Sequence, residues 1–186
     1  MASPGNATDI QHGGRFALDL GGGVDVPPGH DGLSLGGIWH LGAEVAVSEK
    51  LALALRIGTA ANKSEDRRVI IGNTPRIVDL HAVSVIGLLL RRDLSEGSVR
   101  PYLIAGLGYY TSWDDFHPGG NGGKGTVFRS GIGFQAGAGS ALWLGRRFDA
   151  YGESLYHLAP DPNDDARYLA FLGGLRIFLG RKRSIS

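Results

Sequence analysis

Three stretches of this chain hold residue types and spacings that could do chemistry: HPGGNGGKGT (117–126), GIGFQA (131–136) and YHLAPDPNDDA (156–166). The first resembles a loop that wraps a phosphate. That chemistry needs Gly, four residues, Gly-Lys and then Ser or Thr, because backbone N–H groups circle the phosphate while the hydroxyl holds magnesium. Here Gly123-Lys124 puts the first fixed glycine at Pro118 and the hydroxyl at Gly125, so two fixed positions fail. The context fails as well. A phosphate loop joins a strand to a helix, whereas Thr126 leads into VFRSGIGFQAGAGSALWL, which alternates like a strand. The stretch therefore reads as a long loop.

GIGFQA matches a dinucleotide fingerprint, but that pattern must close a strand and open a helix. Gly131, Gly133, Gly137 and Gly139 instead continue one face of a period-two segment. In the third stretch Asp161, Asn163 and Asp165 alternate like the start of a calcium loop, yet the sixth position is Ala166 and the bidentate-Glu position is Leu172. A solvated acidic loop is the expected reading. His40, His81 and His157 come from different segments and read as hydrogen-bonded histidines. No catalytic residue, metal or cofactor is expected.

The chain has 186 residues, 19 Lys+Arg against 18 Asp+Glu, 31 Gly and no Cys, and its mean hydropathy is -0.04. Such a length suits one domain. The near-neutral balance leaves no footprint for nucleic acid. Without cysteine there is neither a disulfide staple nor a thiolate metal site. No segment approaches the roughly 20 apolar residues of a membrane helix. The opening MASPGNATDIQHGG lacks the apolar core of a signal peptide, so an exported form is expected to have lost its signal.

What recurs is period-two alternation bounded by turn residues. It predicts eight strands: 14–24, 35–47, 51–61, 76–92, 99–112, 127–143, 147–158 and 167–179. Their connections alternate in length. SEK (48–50), LSEGS (94–98) and LGR (144–146) are tight, while 25–34, 62–75, 113–126 and 159–166 are longer and rich in Gly, Pro, Asp and Asn. In an up-and-down sheet this rhythm puts short turns at one end and long loops at the other, the asymmetry of outer-membrane barrels.

Opposite faces of these strands differ in kind. In 35–47 one face is Leu35, Gly37, Trp39, Leu41, Ala43, Val45 and Val47, and the other carries His40 and Glu44. Pairing Val47 with Leu51 aligns the apolar faces, sets Gly42 opposite Arg56 and leaves Glu44 diagonal to Arg56. In the 127–158 hairpin, pairing Leu142 with Phe148 sets Gly137 opposite Glu153 and Gly139 opposite Tyr151. Glycines then stand where large inward side chains need room.

The inward set is Arg15, Asp19, His40, Glu44, Arg56, Asp79, His81, Arg129, Gln135, Asp149, Glu153 and Arg176, with ion pairs expected for Glu44–Arg56 and for Glu153 with Arg129 and Arg176. The segment 83–89 with Ile104 is apolar on both faces, so its orientation stays open. A soluble ligand-carrying barrel would reverse the pattern, apolar within and charged without. Trp39, Tyr109, Trp113, Phe128, Trp143, Phe148, Tyr156, Tyr168 and Phe178 fall toward strand ends, where membrane-interface girdles collect aromatics.

RPYLIAGLGYY (100–110), FDAYGESLYHL (148–158) and YLAFLGGLRIFLG (168–180) make the chain similar to the outer-membrane β-barrel family that includes the transmembrane domain of outer-membrane protein A. The resemblance implies an all-β, eight-stranded antiparallel transmembrane barrel over 14–180, with tails at 1–13 and 181–186. It also implies short periplasmic turns and a place in the outer membrane of a Gram-negative bacterium. One departure is that Phe178 is followed by LGRKRSIS where family members commonly end on an aromatic. The implied partners are outer-membrane lipids, lipopolysaccharide and surface molecules meeting the four long loops, with the protein a monomer. Non-enzymatic envelope, surface-interaction or narrow-pore roles follow. Lipid A deacylases are similar barrels that use a His-x-Ser pair. Here Ala159 stands two residues after His157, and Ser154 lies on the opposite face.

Overall fold

The computed structural model describes residues 16–27, 34–63, 68–71, 74–118, 125–145, 147–159 and 166–179. They form nine strands: β1 (Phe16–Val26), β2 (Gly36–Ala46), β3 (Leu51–Lys63), β4 (Arg68–Ile71), β5 (Thr74–Asp93), β6 (Val99–Pro118), β7 (Gly125–Trp143), β8 (Phe148–Ala159) and β9 (Ala166–Leu179). Apart from the four-residue β4, each is a long period-two segment. Antiparallel neighbours run in the order β3-β2-β1-β9-β8-β7-β6-β5-β4, and pairing of β3 with β5 closes the ring. Eight strands therefore make a closed barrel, while β4 pairs with the outer end of β5. Closure leaves no sheet edge around the wall of the barrel.

Alternation sets the two surfaces. In β3 residues Ala52, Ala54, Arg56, Gly58, Ala60 and Asn62 turn inward and are buried, while Leu53, Leu55 and Ile57 turn outward and are exposed. The outward set includes Leu20, Leu41, Ile86, Leu88, Leu90, Leu103, Leu107 and Leu175. The segment whose orientation the sequence leaves open is settled: Val83, Val85, Leu89 and Ile104 face the lumen, and Ile86, Leu88 and Leu90 face out.

Two expectations about connections change. The segment expected as a 62–75 loop contains β4 and the start of β5, and β6 and β7 run deep into the expected 113–126 loop. Val and Ile at 69–71 favour a strand there, and the pairing partner supplied by β5 makes it form. The phosphate-like stretch is thus partly hairpin strand, with His117 and Pro118 in β6, Gly125 and Thr126 in β7, and residues 119–124 outside the described set. The β7–β8 register is tighter by two residues than expected. Leu142 faces Ala150 rather than Phe148, and Gly139, not Gly137, faces Glu153. Gly145 has φ 149°, a conformation that side chains resist, and it lets the chain reverse so that Leu144 N–H donates to Phe148 O at 3.1 Å.

Candidate functional site in the barrel lumen

The lumen near the short turns is filled by two neighbouring ionic clusters, joined by arginine–tyrosine stacking. Arg56 on β3 spans the bore to Glu153 on β8, donating from Nη1 to Oε1 and from Nη2 to Oε2. Tyr102 OH on β6 donates to the same Oε2 at 3.0 Å. Arg56 Nε lies 3.5 Å from Asp19 Oδ1 on β1, which is 2.9 Å from His40 Nε2 on β2. Tyr151 OH reaches that same nitrogen at 2.7 Å.

Nearer the turns, Arg91 Nη1 donates to Glu44 Oε2 at 2.9 Å, and its Nε lies 3.1 Å from Asp93 Oδ1. Arg100 donates to Asp149 Oδ2 at 2.7 Å. Arg176 joins both groups, with Nη1 3.3 Å from Asp149 Oδ2 and Nε 3.5 Å from Glu44 Oε2. Arg176 and Asp149 are completely buried. Charges removed from water persist only when paired and hydrogen-bonded, which explains why the guanidiniums of Arg56, Arg91, Arg100 and Arg176 interleave with five carboxylates. Stacking adds to this, since Arg91 lies 5.3 Å from the Tyr102 ring and Arg176 5.3 Å from the Tyr151 ring.

Small residues make the room. A Cβ at Gly21 would collide with the Tyr151 hydroxyl and the His40 ring, and one at Gly139 with the Tyr102 ring. In a bore this narrow each large side chain needs a glycine facing it.

Farther from the short turns the lumen carries fewer charges. Tyr110 OH is 3.1 Å from His157 Nδ1, and the His157 and Tyr168 rings stack at 4.2 Å. His81 Nδ1 is 2.6 Å from Asp114 Oδ1, while Arg129 Nη1 donates to Asp114 Oδ2 at 3.1 Å. Among the described residues no group of three His, Asp or Glu is placed to hold a metal ion. Ser154 faces outward and His157 inward, so the two cannot act as a nucleophile and base.

Of the inward set read from the sequence, Asp19, His40, Glu44, Arg56, His81, Gln135, Asp149, Glu153 and Arg176 are buried in the lumen, and Arg129 is half-buried near the outer end. Arg15 and the side chain of Asp79 lie outside the described residues, as do residues 160–165. The expected pairings change. Glu44 bonds Arg91 and Arg176, while Arg56 bonds Glu153 and Asp19. Arg129 bonds Asp114 instead of Glu153, and Arg176 bonds Asp149. Inward side chains in a closed barrel meet partners across the bore, which a two-strand register cannot show. Arg91, Asp93, Arg100 and Tyr102 were missed. The parity of β5 carried the signal, since Gly87, Leu89, Arg91 and Asp93 are all inward, but the two-sided apolar run before them hid it.

The aromatic set divides. Trp39, Tyr109, Phe128, Phe148 and Tyr156 are exposed on the outer surface and Trp113 is partly exposed there. Tyr168 and Phe178 are buried inside, and Trp143 faces inward, with Arg100 5.2 Å from its ring and Phe178 at 5.4 Å. These three sit at odd or even positions shared with lumen residues, and that parity outweighs their place near strand ends.

No family model and no curated protein matches the sequence. Solved structures do. Neisserial surface protein A is similar at 16% identity over 88% of this chain and 95% of that one, with a TM-score of 0.62. The attachment invasion locus protein Ail of Yersinia pestis is similar at 14% identity over 90% and 99%, TM-score 0.58. A major outer membrane protein of Thermus thermophilus is similar at 14% identity over 90% and 100%, TM-score 0.64. The fold is that of the eight-stranded outer-membrane β-barrels. At these identities the likeness speaks for the architecture alone, and the lumen network is described from this chain's own residues.

Proposed function

We propose that this protein is an integral outer-membrane barrel of a Gram-negative envelope, non-enzymatic and closed to solutes. It anchors the structures at its long-loop end for a role in envelope integrity or surface interaction. The apolar outer wall supports contact with the acyl chains of outer-membrane lipids, since exposed Leu, Ile and Val would be costly in water and are at home in lipid. The segments 25–34, 62–75, 113–126 and 159–166 are then the parts that meet lipopolysaccharide and surface partners.

The observation that carries the closed state is the Arg56–Glu153 pair with Tyr102 and Asp19 around it, spanning the bore between β3 and β8. Neither alternative draws such support. A deacylase needs a hydroxyl beside its base, and Ser154 and His157 lie on opposite faces. A soluble carrier needs an apolar cavity, and this lumen holds buried ion pairs. Planar-bilayer recording of the refolded protein tests the reading: the bilayer stays silent, and steady conductance steps in proportion to added protein would refute a closed bore.

A further inference from the structure

The outer wall carries one residue whose type conflicts with its surroundings. Alternation along β5 sends Ile86, Leu88, Leu90 and Arg92 outward, and Arg92 is exposed. The wall does not turn polar beyond it. Leu94, two residues nearer the short turn, is 52% exposed, and Leu90, two residues toward the middle of the barrel, is 48% exposed. Across the ladders Arg92 pairs with Leu51 on β3 and with Leu103 on β6. This arginine therefore stands inside the apolar band, enclosed by Leu51, Leu90, Leu94 and Leu103. Among the described strand residues, no other charged side chain on the outer wall has apolar outward neighbours on both sides along its strand.

Nothing nearby on the protein neutralises it. Its chain neighbours Arg91 and Asp93 turn into the lumen, where they bond each other and Glu44. At the turn, Glu96 is held by Lys50 at 3.0 Å. The Arg92 guanidinium has no ion pair or hydrogen bond with any described residue. A bare arginine in hydrocarbon is costly, and the cost falls toward the interface. The long side chain can lie along the wall past Leu94 and bring its guanidinium to headgroup depth at the short-turn end. There a planar fork of N–H donors matches a phosphate, which accepts two parallel bonds.

We propose that Arg92, with the leucines around it, is a binding site for an anionic glycerophospholipid in the leaflet at the short-turn end. The guanidinium donates to the lipid phosphate, and the acyl chains cover Leu51, Leu90 and Leu103. This inference rests on the membrane reading above. The four leucines select the source of the phosphate. A free phosphate ion would leave them uncovered and would lose its hydration beside apolar side chains, whereas a phospholipid joins the anion to the hydrocarbon that they need. The same pairing explains how one uncompensated positive charge is tolerated on a wall that is otherwise Leu, Ile and Val at this level.

The test compares the full chain, Arg92→Gln and Lys50→Gln in nanodiscs holding equal parts of phosphatidylglycerol and phosphatidylcholine. Native mass spectrometry counts the lipids that stay on the released barrel. The unaltered chain is expected to retain phosphatidylglycerol over phosphatidylcholine by about fivefold, the weight of one arginine beside an anionic surface. Arg92→Gln should lose that preference and Lys50→Gln should keep it, both with unchanged heat-modifiable gel mobility. In the same discs, solid-state NMR of arginine-labelled protein should show the Arg92 Cζ signal dephased by lipid phosphorus, and the signals of Arg56, Arg91, Arg100 and Arg176 untouched. Equal retention by Arg92→Gln, an equal loss in Lys50→Gln, or an Arg92 signal blind to phosphorus would overturn the site. So would displacement of the retained lipid by inorganic phosphate, which would make Arg92 a general anion site. Flotation with liposomes separates these outcomes from failure of the membrane reading, since a barrel that floats without lipid preference loses only the Arg92 site.

Discussion

Arg56 and Glu153, 97 residues apart in sequence, meet across the bore in a two-pronged ion pair, and Tyr102 OH closes on the same carboxylate at 3.0 Å. The pair ties β3 to β8, strands that are not neighbours in the sheet. Removing one partner strands a buried charge, at a cost of about 3–5 kcal/mol. Arg56→Met and Glu153→Leu should each lower the free energy of unfolding from lipid vesicles, measured by urea titration, by that order. The double variant Arg56→Met/Glu153→Leu should recover a large part of the loss. Additive losses in the double variant would mean that the two side chains do not depend on each other.

Gly21 is where the lumen has no spare room, because a Cβ there overlaps the Tyr151 hydroxyl and the His40 ring. Gly21→Val should cost about 1–3 kcal/mol by overpacking. In a Tyr151→Leu background the same substitution should cost clearly less, and a double-mutant cycle on unfolding midpoints measures the difference.

On the outer wall the expected sign depends on position. Leu88 sits at mid-strand beside Leu55 and Leu107 and is 54% exposed. Leu88→Arg should reduce the free energy of folding into vesicles by about 2–4 kcal/mol, the cost of an arginine near the bilayer midplane. Thr126→Arg, on the part of β7 that overhangs β8, should be near neutral in the same assay.

Much of this architecture can be read from the sequence, since period-two alternation with turn residues between gives all eight barrel strands and the Gly42–Arg56 register. What resists reading is whatever depends on closure. Glu44 is diagonal to Arg56 on the unrolled sheet, but in the cylinder Arg56 points at the far wall and Glu44 meets Arg91. Arg91 itself was hidden because the segment 83–89 before it is apolar on both faces, so alternation gives no phase there. β4 was missed for a related reason: four residues form a strand only because β5 extends beyond the barrel to pair with them. Tyr168 and Phe178 show that parity along a strand is a better guide to the lumen than nearness to a strand end.

What surrounds the outward residues of β3 decides whether the outer wall faces lipid. Because the chain has no cysteine, single substitutions Leu53→Cys, Leu55→Cys and Ile57→Cys can each carry one spin label in protein reconstituted in a bilayer, with Lys50→Cys at the short turn as reference. Power saturation should show the three strand positions open to oxygen and shielded from a water-soluble nickel complex, with the turn position reversed. Nickel access at Leu55 equal to that at Lys50 would contradict a lipid-facing wall.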